Sequence, residues 1–197
     1  MLDNLRGKLK GHKPHENFIS MGRTQGQAAV LVPITNDNAE PEVLLTLRSE
    51  ELSTHAGEVS FPGGKQDLSD DSLLDTALRE SFEEVGIAPN QVEVIARLSA
   101  LKSLHGLKVT PFVGIVPKNL ELKTNPSELS CAFTVPLRFF VETPPSVVRF
   151  YQVNGVQYKI PSYQYNEFNI WGLTAMVLVE LVNVVFDAKI SLIEPVN

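Results

Sequence analysis

Residues 63–87 read GGKQDLSDDSLLDTALRESFEEVGI, a double glycine and an acidic turn followed by a segment with helical periodicity. The apolar positions of that segment are spaced four, four and three apart, at Leu74, Leu78, Phe82 and Val85. This spacing predicts a helix whose apolar side is centred on these residues. At about 100° per residue, three glutamates fall together on the roughly opposite side, namely Glu80, Glu83 and Glu84.

These glutamates are poorly placed for helix stability alone. Like charges on one face repel, and the helix dipole disfavours anions in the last turn, just before the expected C-terminal cap Gly86. Hard divalent cations such as Mg²⁺ bind carboxylate oxygens and would turn this repulsion into coordination. The alternative is a solvated acidic face with Arg79 pairing to Glu83, because most runs of charged residues are simply exposed to solvent. The sequence before the helix, which includes the double glycine, favours the metal site over the solvated face.

The composition limits the class of protein. A chain of 197 residues is long enough to bury its own core, and we expect one domain spanning residues 1–197. The net charge of −6 argues against general nucleic-acid binding. The single cysteine, Cys131, excludes an internal disulfide, and its apolar neighbours favour a buried structural thiol over a nucleophile.

The two ends of the chain resemble neither a targeting signal nor a membrane anchor. Residues 1–6 lack the apolar core of a signal peptide. The apolar run at 176–186 is interrupted by Glu180 and Asn183 and is too short to cross a bilayer, so it predicts a core helix. We therefore expect a cytoplasmic protein without membrane partners, with monomer and homodimer both open.

Elsewhere β-rich runs alternate with a few helical segments. The predicted strands are 28–34 and 43–47 as a hairpin, 92–98, 109–116, and 149–153 with 156–160 as a hairpin around Asn154-Gly155. A short helix is predicted at 136–141 and a long one at 171–186. This order predicts an α/β (α+β) layered fold, a mixed central sheet with helices packed on its faces.

The segment from Gly64 to Ile87 resembles the Nudix box, G-x5-E-x7-R-E-U-x-E-E-x-G-U, where U is aliphatic. The core from Arg79 onward matches at every charged position. One additional residue precedes Arg79, Asp70 stands for the first glutamate, and Ser81 stands for an aliphatic residue.

The region upstream resembles the signature of the coenzyme A pyrophosphatase branch of Nudix hydrolases, L-L-T-x-R-[SA]-x3-R-x3-G-x3-F-P-G-G. It matches as LLTLRS at 44–49, Gly57 and FPGG at 61–64, but its second arginine falls on Ser53. The same branch usually shows the relaxed box found here. The similarity extends roughly over residues 25–186, which implies the Nudix fold for this domain.

The resemblance implies a Mg²⁺- or Mn²⁺-dependent hydrolase. Its metal ligands would be Glu80, Glu84 and the carbonyl of Gly63, which lies in a glycine pair that permits close backbone approach. Glu83 would share a second cation or hold the ligands in place, and Arg79 would orient the glutamate cluster.

A general base is also required and need not lie in the box. Related enzymes often draw a further glutamate from a later loop, and Glu128 occupies the equivalent stretch as metal ligand or base. A merely solvated loop residue is the alternative, and Glu58 is a weaker candidate. Loop or core packing is the favoured interpretation for four other residues, namely His55, His105, Tyr163 and Tyr165.

The substrate implied by the resemblance is a small nucleoside diphosphate derivative, with Arg48 and Lys65 in contact with its phosphates. The favoured reaction splits coenzyme A or acyl-CoA into phosphopantetheine (or its acyl form) and adenosine 3′,5′-bisphosphate. Because a serine replaces the signature arginine, ADP-ribose or a dinucleotide is the alternative. A non-catalytic binding domain is disfavoured because all three box glutamates are present.

Overall fold

The computed structural model describes residues 1–15, 26–52, 54–103, 106–153 and 155–194. The α-helices in these ranges are α1 (Leu2–Gly11), α2 (Leu73–Val85), α3 (Phe139–Glu142) and α4 (Gly172–Phe186). The strands are β1 (Gly26–Thr35), β2 (Glu42–Arg48), β3 (Val59–Ser60), β4 (Gly63–Lys65), β5 (Glu93–Arg97), β6 (Leu101–Lys102), β7 (Leu107–Val116), β8 (Leu129–Pro136), β9 (Ser146–Val153), β10 (Val156–Tyr165), β11 (Phe168–Trp171) and β12 (Ile193–Glu194).

Strands β1 to β8 form a mixed sheet with β1 near its centre. β1 pairs in parallel with β7 along its whole length and antiparallel with β4 at the glycine pair. β2 joins β1 where Ile34 faces Val43, as the predicted hairpin requires, and then pairs with β8. The mixed sheet with helices packed against it confirms the predicted fold class.

The remaining strands form a second sheet around β10, which pairs with β9, β11 and β12. The predicted hairpin between β9 and β10 is confirmed, and Gly155 at its turn has φ of 78°. Its partner in the turn, Asn154, lies outside the described residues. This second sheet shares its hydrophobic core with α4, because Ile160, Tyr163 and Ile170 are buried in the same cluster as the α4 side chains.

One face of the mixed sheet packs against α1 and α4. α4 begins one residue later than predicted and is a core helix, as expected. α1 was not predicted, yet Leu2, Leu5 and Leu9 are fully buried. No helix in the described parts of the chain is long and apolar enough to span a bilayer.

The polar interruption of the apolar run in α4 has a structural role. The Glu180 carboxylate accepts hydrogen bonds from the N–H and the hydroxyl of Ser99, at 2.7–3.1 Å. It also lies 2.9 Å from Nε2 of His12, just after α1. Glu180 therefore ties together three separate parts of the chain around α4.

The opposite face of the sheet packs against α2, and here the predicted helix orientation was partly wrong. Phe82 is 56% exposed, whereas the buried face carries mostly small side chains, among them Thr76, Ala77 and Ser81. Small residues let the helix approach Ala29 and Leu31 of β1 closely. The Ser81 hydroxyl donates to the Ala77 carbonyl at 2.6 Å, which explains how a buried position tolerates serine.

The region around residue 136 also differs from prediction. Residues 129–136 form β8, so Pro136 ends a strand rather than beginning a helix, and α3 starts only at Phe139. Proline is acceptable at the end of a strand, where its missing N–H costs least. Cys131 lies in β8 and is half-buried rather than fully enclosed; burial raises the pKa of its thiol.

Candidate active site

Both ends of α2 are held by local interactions. At its N-terminus the Ser72 hydroxyl accepts from Asp75 N–H at 3.2 Å, a standard capping arrangement. At its C-terminus Gly86 adopts φ of 76°, as the sequence predicted for a cap. Two C-terminal carbonyls accept from the following loop: Val85 from Lys123 N–H at 3.0 Å, and Glu84 from Asn125 N–H at 2.9 Å. The helix end and that loop therefore form one unit.

Glu84 is buried at 3% exposure, not solvated on the outer face of α2. One of its oxygens accepts a hydrogen bond from Gly63 N–H at 3.0 Å. The pKa of Glu84 is raised to about 7, chiefly by burial. The charges of Glu80 and Glu128 contribute to this rise, while the Gly63 N–H and Arg48 oppose it. A buried carboxylate among like charges is a site that a cation would stabilise.

Glu80 lies directly over the second glycine of the pair. A Cβ placed on Gly64 would be 2.4 Å from the Glu80 carboxylate, so a larger residue here would displace that side chain. A Cβ on Gly63 would likewise meet the Ala29 carbonyl at 2.4 Å. Burial raises the pKa of Glu80, while Arg79 opposes that rise. The glycine pair is therefore needed to bring β1, β4 and the glutamates of α2 together.

Arg79 holds the acidic turn and the helix together. Its guanidinium donates twice to Asp70, at 2.8 and 2.9 Å, and further to Glu80 at 3.0 Å and Glu83 at 3.2 Å. The hydrogen bonds from Arg79 are the main reason that the pKa of Asp70 lies well below its usual range. Asp70, whose role the sequence left open, is thus the anchor of Arg79, and Glu83 is more than half exposed beside it.

Glu128 is brought to the same place by the loop between β7 and β8. Its charge raises the pKa of both Glu80 and Glu84, so it lies close enough to interact electrostatically with both. The Asn125 side-chain amide donates to Glu128 Oε1 at 3.1 Å. Ser49 N–H donates to the Glu128 carbonyl at 2.8 Å, which fixes its backbone beside the end of β2.

The two predicted substrate contacts differ in their surroundings. Arg48 ends β2 and lowers the pKa of Glu84, so its charge faces the carboxylates. Its Nε is buried and has no hydrogen-bond partner among the described residues. Lys65 ends β4 with an exposed side chain, and its carbonyl accepts from Arg79 at 3.4 Å.

The donor chemistry of the site fits a hard divalent cation. Glu80, Glu84 and Glu128 offer carboxylate oxygens, and burial disfavours the charged forms of Glu80 and Glu84 unless a cation is near. Within the described ranges, no group of three His, Cys, Asp or Glu side chains is already arranged to hold a metal. The glutamates instead contact Arg79 and Gly63 N–H.

The remaining candidates behave as packing or loop residues. Tyr163 is 1% exposed and packs edge-on against Phe140, and Tyr165 contacts Phe139 in the same way. His55 Nδ1 lies 2.7 Å from Glu58 Oε2 in an exposed loop. His105 and Ser53 lie outside the described residues.

Comparison with known proteins finds a matching family model and similar proteins. A sequence model of the NUDIX domain matches residues 25–138. The chain is 39% identical over 184 residues to a Citrobacter koseri protein named uncharacterized Nudix hydrolase NudL, covering 91% of this chain and 92% of that protein. A Yersinia enterocolitica protein of the same name is 41% identical over 163 residues, covering 81% of each.

Solved structures show the same fold. A NUDIX hydrolase from Alicyclobacillus acidocaldarius has a TM-score of 0.56 at 20% identity, covering 89% of this chain and all of that one. A MutT/nudix family protein from Enterococcus faecalis has a TM-score of 0.57 at 12% identity, covering 87% and 66%. By domain, by relatives and by fold, the chain belongs to the Nudix hydrolase family.

Proposed function

We propose that this Nudix pyrophosphohydrolase cleaves the diphosphate linkage of coenzyme A or acyl-CoA. The products would be 4′-phosphopantetheine, or its acyl form, and adenosine 3′,5′-bisphosphate. The observation that carries the reaction type is the position of two box glutamates at the glycine pair: Glu84 accepts from Gly63 N–H at 3.0 Å, and the Glu80 carboxylate lies against Gly64. The substrate rests on the coenzyme A pyrophosphatase signature at residues 44–64.

Mg²⁺ or Mn²⁺ would be held by Glu80, Glu84 and the Gly63 carbonyl, with Glu83 as a second or supporting ligand. The ion would neutralise charge on the diphosphate and polarise its phosphoryl oxygens. Glu84 and Glu80 suit this role because they are withdrawn from water beside a backbone with no Cβ to block approach. Arg79 orients the cluster through Asp70 and leaves the substrate to other residues.

Glu128 would act as the general base for the attacking water. Asn125 already donates to its Oε1, so Oε2 is the atom assigned to receive the proton. The carboxylate projects from a loop held to Ser49 and Glu84 by backbone hydrogen bonds. Glu128 as a further metal ligand is the alternative for the same position.

Arg48 is proposed to contact a substrate phosphate. Its Nε is buried without a partner in the described structure, and a buried guanidinium N–H left unpaired is costly. A phosphate oxygen would supply the missing acceptor and suit the planar donor geometry of arginine. Lys65, exposed after the glycine pair, is proposed as a second, weaker phosphate contact.

A substrate panel tests the proposal. Coenzyme A, acetyl-CoA, ADP-ribose and a diadenosine polyphosphate would be incubated with Mg²⁺ or Mn²⁺, and the products identified by mass spectrometry. We expect the highest kcat/KM for the two coenzyme A compounds, with adenosine 3′,5′-bisphosphate as the common product. Efficient hydrolysis of ADP-ribose with none of coenzyme A would overturn the proposed substrate and leave the reaction type standing.

The location, the partners and the oligomeric state of the protein are also proposals. We infer a cytoplasmic enzyme whose partner is its small-molecule substrate, with no nucleic acid or membrane involved. A homodimer stays a prediction, and light scattering of the purified protein distinguishes it from a monomer.

A further inference from the structure

We infer that Asn125 is a positioning residue that aims the Glu128 carboxylate at the site, and this inference rests on the proposed function of Glu128. Asn125 is half-buried in the loop between β7 and β8. Asn125 lies outside the Nudix box, which ends at residue 87.

The backbone of Asn125 joins α2 to the loop. Its N–H donates to the Glu84 carbonyl at 2.9 Å, and its own carbonyl accepts from Glu128 N–H at 3.1 Å and from Leu129 N–H at 2.9 Å. Two of the proposed reactive carboxylates therefore belong to residues that hydrogen-bond directly to the backbone of Asn125. Any rotation of this residue would change the position of Glu128 relative to Glu84.

The side chain of Asn125 adds direction to this link. Its Oδ1 accepts from Ser127 N–H at 3.2 Å and from the Ser127 hydroxyl at 2.7 Å. A backbone N–H can only donate, so this contact identifies the oxygen of the amide. The NH₂ group must then face Glu128, to whose Oε1 it donates at 3.1 Å.

Within the part of the chain that the structure describes, the Asn125 amide engages Oε1 of Glu128 and no hydrogen bond is made to Oε2. A hydrogen bond to a charged acceptor is stronger than a neutral one, so the amide restrains the carboxylate rotamer. The alternative is that Asn125 only shapes the turn through Ser127, with the Glu128 contact incidental.

The substitution Asn125→Asp separates these two roles. It is nearly isosteric and keeps an oxygen for the Ser127 turn, and it retains every backbone bond of residue 125. It removes the donor to Glu128 and places two carboxylates side by side. We expect kcat to fall about 10- to 100-fold while KM changes little. Ser127→Ala, which keeps Ser127 N–H but removes its hydroxyl, is the matched control for the turn and should retain kcat.

A double-mutant cycle with Glu128→Gln supplies the decisive test. The introduced glutamine can donate to the introduced aspartate, so the pair is restored with donor and acceptor exchanged. We expect Asn125→Asp to lower kcat in the parent enzyme but to change it less than about two-fold in the Glu128→Gln background. The thermal midpoint, measured without metal or substrate, should show the same coupling, with Asn125→Asp lowering it only when Glu128 is present.

The outcomes distinguish this inference from the proposed function. Equal losses of kcat from Asn125→Asp in both backgrounds would overturn the positioning role, while a low kcat in Glu128→Gln would still support Glu128. Full kcat in Glu128→Gln would overturn the role of Glu128 itself, and the inference with it. Should Asn125→Asp not fold, Asn125→Ser, which is uncharged and also lacks the amide donor, takes its place in the same cycle.

Discussion

The two faces of the mixed sheet are packed in different ways. Against α1 and α4 the sheet presents large aliphatic side chains, and this face forms the main core. Against α2 it presents Ala29 and Leu31, which form a small buried cluster with Ala77 and are packed by the partly buried Leu73 and Leu78. α2 is instead held by its caps, by the Asp70–Arg79 pair and by the loop that hydrogen-bonds to its last carbonyls.

This difference separates stability from chemistry. The α1/α4 face supplies burial of apolar area, the main favourable contribution to folding. The α2 face buries a carboxylate whose charged form is disfavoured in the metal-free protein, as is typical of functional sites. Substitutions on the two faces should therefore affect different measurements.

The largest effect is expected on activity from Glu84→Gln. It keeps the shape of the buried side chain but removes a proposed metal-ligand charge, so kcat/KM should fall about 10³-fold or more. The free energy of unfolding should not fall, because a buried charge is removed. Glu83→Gln is the comparison variant. Because this side chain is more than half exposed, its substitution should lower kcat/KM less than Glu84→Gln does. Near-parent turnover in Glu84→Gln would refute the metal assignment.

On the opposite face, Leu5→Ala should act on stability alone. Leu5 is fully buried in α1, and large-to-small core substitutions cost about 2–5 kcal/mol. We propose that residues 1–197 fold as one unit, so urea should unfold this variant in a single, earlier transition with kcat per folded molecule unchanged. Two separate transitions, or a loss of kcat without loss of stability, would contradict this division between the faces.

The metal-free protein should become less stable as pH rises. Burial raises the pKa of Glu84 from 4.5 to about 7, so the folded state binds more protons than the unfolded state between those values. The resulting loss is of order 3 kcal/mol, beginning near pH 4.5 and complete above pH 7. Urea titrations in EDTA at pH 5 and pH 8 measure it, and Glu84→Gln should show a flatter dependence. Adding Mg²⁺ at pH 8 should recover the stability by binding only the folded state.

The smallest effect is expected from Phe82→Ala. Since Phe82 is 56% exposed, its removal should change the free energy of unfolding by less than about 0.5 kcal/mol. Ala77→Leu, one turn earlier on the buried face, should cost about 1–3 kcal/mol through overpacking. Thermal denaturation of the two variants compares them directly. The reverse order would show that α2 rests on the sheet through its apolar stripe after all.

The periodicity of α2 was a reliable guide to the helix and only a partial guide to its orientation: Val85 is buried and Leu78 packs against the sheet, but Phe82 is exposed. Hydrophobic spacing marks the strip that would be buried if apolar residues alone decided packing. Here Gly63 and Gly64 allow the helix to approach β4 closely, and the buried side carries Ala77, Ser81 and Glu84. The one signal against the apolar stripe was the serine within the box, because a small residue where the motif has an aliphatic one indicates close packing.

The sequence alone was sufficient for the family, the mixed sheet, both hairpins and the identity of the box glutamates, because these depend on local spacing and on a motif whose residues adjoin in the chain. The roles of Asp70 and Asn125, the burial of Glu84 and the packing of α1 depend on contacts between distant segments. Asp70 lies nine residues from Arg79, Glu84 lies 21 residues from the N–H it contacts, and the helix that carries Leu5 packs against α4 near the other end of the chain. Such pairings are set by how helices, loops and sheet fit together in space, and no local pattern along the chain records them.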